Sequence, residues 1–186
     1  MDVAEHMLRA AADLAEARGV TNLDFVQASV ESLPFADGSF DAACTRYSAH
    51  HWSHPPAAIA EIARVLRPGA PFVLSDSAGI EDAALDTYLN ALELLRDPSH
   101  VRNAPITIWS RLLTEAGFTV TSVREWTINL DTTTWLDRAA AAEWRQAAAR
   151  HLLIEAPHAA RSALNISEDG ESFTLPCAMI LARLSR

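Results

Sequence analysis

Imidazole is the side chain whose ordinary titration range spans neutral pH, and three of this chain's seven histidines fall within five residues: His50, His51 and His54. They follow a short apolar run in the segment Thr45-Arg46-Tyr47-Ser48-Ala49-His50-His51-Trp52. A histidine at the end of a strand can take a proton from a hydroxyl or an acidic carbon, and His50 and His51 are the candidate bases. The same trio raises zinc binding. No catalytic glutamate shares an i,i+4 helical spacing with these histidines and no cysteine pair lies nearby, so a metal centre is not expected. A second cluster, Leu94-Leu-Arg-Asp-Pro-Ser-His-Val-Arg102, leads into a helix bearing Trp109. Arg96, His100 and Arg102 there supply donors for an anionic small molecule; the alternative is a local pairing of Arg96 with Asp97 at a helix end. Asp76 either holds a polar group of a substrate or caps the following helix, and capping is the expectation. Glu61 and Arg64, one turn apart, read as a pair on a solvated helix face.

The elements that must position these groups alternate. Met7, Leu8, Ala11, Leu14 and Ala15 recur at helical spacing over Val3–Arg18, with Gly19 as the stop. Asn22–Ala28 reads as a strand, and Phe40–Thr45 as a second, short one. Pro55-Pro56 suit the first turn of a helix carrying Ile59, Ile62, Ala63 and Leu66 inward and ending at Pro68-Gly69. Pro71–Ser75 is continuous in apolar residues, as expected of a central parallel strand covered on both faces. Helices follow through Leu85–Leu95 and Ile106–Ala116. Phe118–Leu130 is a strand, Ala139–Ala149 is helical by propensity, and Ser172–Leu184 is the last strand, with Pro176 implying an edge position or bulge. Alternation of this kind predicts one α/β domain over residues 1–186 with a doubly wound sheet.

Composition narrows the function. The chain has 186 residues, 49% of them apolar and 21% charged, which suits a single folded domain. A net charge of −9 argues against nucleic acid and against an anionic membrane surface as partners. No 18-residue apolar run and no basic-then-apolar leader is visible, so a cytoplasmic location is expected. Cys44 and Cys177 stand in unrelated contexts and are expected to be buried, reduced thiols.

The run Glu31-Ser-Leu-Pro-Phe-Ala-Asp-Gly-Ser-Phe-Asp41, then Ser48-Ala-His-His-Trp52, then Arg64-Val-Leu-Arg-Pro-Gly69, resembles the middle of a class I S-adenosylmethionine (SAM) methyltransferase. It is most similar to the small-molecule branch that resembles ubiquinone/menaquinone-biosynthesis C-methyltransferases. That resemblance implies a Rossmann-like sheet with an antiparallel last strand, SAM as cofactor and a small, partly apolar acceptor. Asp2 matches the acidic position that accepts the ribose hydroxyls. Ser29 stands where the family usually has the aspartate that accepts the adenine amino group, and the Val30 backbone meets the adenine edge. Thr45 falls on the cofactor side of the next strand end, with Tyr47, Trp52 and Trp109 on the acceptor side.

The family's glycine-rich turn has no counterpart here: the six glycines stand singly. The resemblance thus implies a sheet lacking the first strand and most of the second, with Asp2 left without a strand to fix its backbone. Missing strands would expose sheet edges, so a homodimer is expected. Two histories fit, a methyltransferase that lost its start and a genuine short form. The second admits other uses, as a SAM-independent cyclase or isomerase, or as a non-catalytic partner subunit.

Overall fold

The computed structural model describes residues 1–139 and 141–185. Four strands form one mixed sheet: β1 (Ala43–Arg46), β2 (Pro71–Ser77), β3 (Phe118–Asp131) and β4 (Ser172–Leu184), in the spatial order β1-β2-β4-β3. β1 and β2 run parallel, whereas β4 is antiparallel to both neighbours. The α/β architecture and the reversed last strand are therefore those anticipated from the sequence.

Side-chain alternation decides what β2 presents. Phe72, Leu74 and Asp76 point to one buried face, and the first two enter the main core. That core also takes Ile59 and Ile62 from α2 (Pro55–Val65), and Trp109 and Leu113 from α4 (Ile106–Glu115). Asp76 extends the same face one step past the apolar residues, which delivers a carboxylate to the C-terminal end of the strand. A second core joins α3 (Ala83–Arg96) to α5 (Thr132–Asp137), α6 (Glu143–Ile154) and Phe173 of β4, around Leu89, Leu92, Trp135 and Leu153. The helix α1 (Glu5–Ala17) buries only Ala15.

Several expectations need correction. Asn22–Ala28 forms a single parallel bridge, Asp2 to Gln27, rather than a strand. That bridge nonetheless fixes the backbone of Asp2, whose N–H donates to Val26 and whose carbonyl accepts from Ala28. β4 is an interior strand, not an edge. Pro176 stands just past the last β2–β4 pair, Ser77 with Cys177, where its carbonyl still accepts from Ala78, so its missing N–H costs the sheet at most the final rung. The bulge falls instead in β3, between Val120 and Ser122. Cys44 is exposed and Cys177 buried. The helix expected from Ala139 begins at Glu143, and residue 140 lies outside the described residues. No described helix is long and apolar enough to cross a membrane.

Candidate active site

Asp76 is 2% exposed, and the chain between β1 and α2 folds around it. One carboxylate oxygen accepts the backbone N–H groups of Ser48 at 3.0 Å, Ala49 at 2.7 Å and His50 at 3.4 Å. The other accepts the Ser77 N–H at 2.8 Å and lies 2.6 Å from Nδ1 of His50. Asp76 is therefore not the cap of α3; Asp82 does that, accepting from Ala84 and Leu85. Its carboxylate instead closes the 3-10 turn Ala49–His51 and grips the first histidine.

The pairing has the expected electrostatic signature. Burial opposes charge on His50, but the Asp76 hydrogen bond and charge overcome it and raise the imidazole above its ordinary 6.5. Burial likewise opposes charge on Asp76; the His50 contact and the N–H bonds of Ser77 and Ala49 outweigh it and hold the carboxyl below its ordinary value. With Nδ1 donating to Asp76, Nε2 of His50 is the ring nitrogen left to act.

His51 stacks on His50, ring centroids 4.1 Å apart, and is oriented from the other side. Its Nδ1 lies 3.0 Å from the Ser99 carbonyl, which can only accept, so Nδ1 carries the proton and Nε2 presents the lone pair. Ser99 Oγ, 3.2 Å from the same nitrogen, donates onward to Asp97 at 2.7 Å. The strap from Asp97 to Pro105 is pinned over this turn, with Val101 and Arg102 both donating to the His50 carbonyl and Asn103 donating to Oδ1 of Asn90.

A cleft of about 560 Å³ opens beyond these strand ends. It brings together Asp2, Ser29 and Val30 on one side with Tyr47, His51, Trp52, Asp97 and Ser99 on the other. Tyr47 reaches it from a left-handed backbone conformation, φ 49°. A neighbouring cavity of about 540 Å³ along β1 is lined by Asp2, Val30, Thr45 and Trp52 among others. Ligands of open α/β sheets bind at this end of the strands.

The remaining candidates lie elsewhere. Trp109 is 3% exposed and packs edge-on against Trp52 in the core, centroids 5.8 Å apart, so it supports the cleft from behind. Arg96 donates to the Trp135 carbonyl and approaches Glu93 at 3.8 Å rather than pairing with Asp97. Arg102 pairs with Asp86 at 2.9 Å. His100 is buried with Nε2 on Asn90 at 3.0 Å, and burial with the nearby His50 and His51 charges pushes it down to about 4. None of these three cationic candidates lines the cleft, because each has a closer partner within its own strap or on α3 and β3–α5. Sequence reasoning missed Asp97 and Ser99 as cleft residues, although their Asp-x-Ser spacing is a recognisable turn signal. It also placed Glu61 and Arg64 on a solvated face. They are half-buried, and together they tie down Leu33, Phe35 and Asp37; the Arg64 hydrogen bond first, then the Leu33 N–H, lowers Glu61 to about 2.

The mixed sheet with its reversed last strand and the cleft at the strand ends are those of a class I SAM-dependent methyltransferase, and the chain belongs to that family. A family described as a methyltransferase domain matches residues 1–74. The uncharacterized methyltransferase YcgJ of Bacillus subtilis (strain 168) is 33% identical over 187 residues, covering 97% of this chain and 73% of YcgJ. Its crystal structure superimposes with a TM-score of 0.94 at 32% identity, covering 99% of this chain and 80% of that one. The crystal structure of BH2331 from Bacillus halodurans C-125 gives 0.93 at 28% identity, covering 100% and 81%. The ubiquinone/menaquinone biosynthesis C-methyltransferase UbiE of Brucella anthropi is 37% identical over 87 residues, covering 46% of this chain and 33% of UbiE.

Proposed function

We propose that this protein transfers a methyl group from SAM to a small-molecule acceptor, with His51 taking the acceptor's proton and the His50–Asp76 pair holding it in place. The observation that carries the reading is the shared cleft: an acid and a turn suited to an adenosine on one wall, and on the other His51, held by Ser99, with the candidate base His50 outside the cleft lining and packed behind it on Asp76.

The residues present fit the adenosine half of the cofactor. Oδ1 of Asp2 accepts the Ala4 N–H at 2.9 Å, and Oδ2 makes no hydrogen bond among the described residues, so one anionic acceptor is open to a ribose hydroxyl. Ser29 is exposed on the same wall, its Oγ accepting from Glu31 at 3.2 Å while its hydroxyl hydrogen is free to donate. SAM, when bound, supplies an electrophilic methyl group on a sulfonium. The protein's task is then orientation, since an in-line approach is worth more than any single base. Tyr47 and Trp52 shape the acceptor end. The lone pair on Nε2 of His51 accepts the proton, and the Ser99–Asp97 chain behind Nδ1 stabilises the resulting imidazolium.

Incubation with SAM carrying a ¹³C methyl group and a panel of small acceptors, read by mass spectrometry, tests this. Labelled product is expected, with His51→Gln slowing transfer by about 10² or more. No labelled product from any acceptor, or full rates in that variant, would overturn the respective half of the reading.

A further inference from the structure

The side chains that carry fixed charge in the cleft are acidic. Asp2, Glu31 and Asp97 line it, and no arginine does among the described residues; the chain contains no lysine at all. Its other ionisable groups are His6, His51, Tyr47 and the amino group of Met1. Of the basic side chains nearest in sequence to the acceptor end, Arg96 is held by the Trp135 carbonyl and Glu93 and Arg102 by Asp86, while Arg46 lies over the Tyr47 ring, 4.6 Å from its centroid, and lines the neighbouring cavity rather than this cleft. Asp97 stays in place because Ser99 donates to the same oxygen from both its N–H and its hydroxyl. Burial opposes its charge, but those two bonds win and keep the carboxyl below its ordinary value.

A carboxylate or phosphate entering between Asp97 and Glu31 would meet like charge, with no arginine among the described cleft residues to receive it. An ammonium would find Asp97 within the wall and the Trp52 ring lining the same cleft. We propose that the acceptor end of the cleft, centred on Asp97 and His51, selects a small aromatic or aliphatic amine, captured as its ammonium form and giving one proton to Nε2 of His51 so that its nitrogen lone pair can take the methyl group as the carbon–sulfur bond breaks, and rejects carboxylate-bearing molecules of the same size. Selection of this sort rests on repulsion as much as attraction: the acidic wall penalises the wrong charge. This deepens the methyl-transfer reading by naming the charge class of its acceptor.

The test needs no cofactor. The ¹⁵N-labelled chain is titrated with 2-phenylethylammonium and, separately, with 3-phenylpropanoate, following the Ser99 amide and the Trp52 indole N–H. The ammonium is expected to bind about tenfold more tightly at low salt, the ratio shrinking as salt rises. In Asp97→Asn, whose amide oxygen can still accept from Ser99, the ratio is expected to fall towards one. Equal or tighter binding of the carboxylate overturns the proposal, as does an unchanged ratio in the variant or the absence of shifts at these signals with either probe. Labelled-methyl transfer to a carboxylate acceptor in preference to an amine would sink this inference while leaving methyl transfer itself intact.

Discussion

Replacing Asp76 by asparagine sets the assembly of the histidine site against a simple count of hydrogen bonds. The carboxylate accepts from Ser48, Ala49, His50 and Ser77 in a position only 2% exposed. A carboxamide of the same shape offers one oxygen and one NH₂. With the oxygen kept on the Ser48–His50 backbone, the NH₂ faces the Ser77 N–H and the ring of His50. One charge-assisted bond is lost, about 1.5–3 kcal/mol, and one buried N–H is left bare, about 1–3 kcal/mol. A loss near 4 kcal/mol follows around pH 5.5, a large share of a small domain's stability. The pH dependence carries the sign. His50 is raised above 6.5 in the folded state, so its contribution is full below that value and fades as pH rises through the folded pKa. Asp76 is lowered below 3.8, so its contribution is full above that value and fades as pH falls further. The gap between wild type and Asp76→Asn is therefore widest between about pH 4 and 6.5 and narrows towards pH 9. Urea unfolding at pH 5.5, 7 and 8.5, with an NMR titration of the His50 ring, reads both parts. A gap under about 1 kcal/mol at pH 5.5, or a His50 that titrates at or below 6.5 in the wild type, would refute the reasoning.

Three further outcomes are expected. Ser29→Asp restores a charged acceptor beside the adenosine wall and should tighten adenosine binding by about tenfold in calorimetry; unchanged affinity would count against the assigned wall. His100 is held down to about 4, so the unfolded chain binds its proton first on acidification and stability falls between pH 6.5 and 4; His100→Gln should flatten that slope by up to about 1.4 kcal/mol per pH unit in acid unfolding curves. Gly79→Ala should lower the thermal midpoint by many degrees, because a Cβ there overlaps the Asn103 carbonyl, lies 2.6 Å from Asp86 Oδ1 and 2.8 Å from Pro105 Cδ, two of the three being parts of the strap with little room to retreat.

Local periodicity made most elements legible. The apolar run Phe72–Leu74 and the paired prolines before Ala57 fix β2 and the start of α2 without any tertiary information. Asn22–Ala28 looked like a strand for the same reason, yet only Gln27 pairs, since strand character is completed by a neighbour and not by alternation alone. Pro176 misled because its rule concerns lost ladder bonds, and at the end of β2 only the last rung is touched. At the site, the two histidines stood out by residue type and strand-end position. Their orientation did not, because the partners Asp76 and Ser99 lie 26 and 48 residues away. Arg96, His100 and Arg102 were assigned to a pocket from their side-chain types and the resemblance of their stretch to the family's pocket cover, and three closer partners, Trp135, Asn90 and Asp86, claimed them.

The claim on which the account turns is that the wall formed by Asp2, Ser29 and Val30 receives an adenosine-bearing cofactor. Calorimetric titration of S-adenosylhomocysteine, the demethylated cofactor, into this chain tests it directly. One molecule should bind per chain with a micromolar dissociation constant, weakened about tenfold or more in Asp2→Ala. The absence of any heat at millimolar ligand would contradict it.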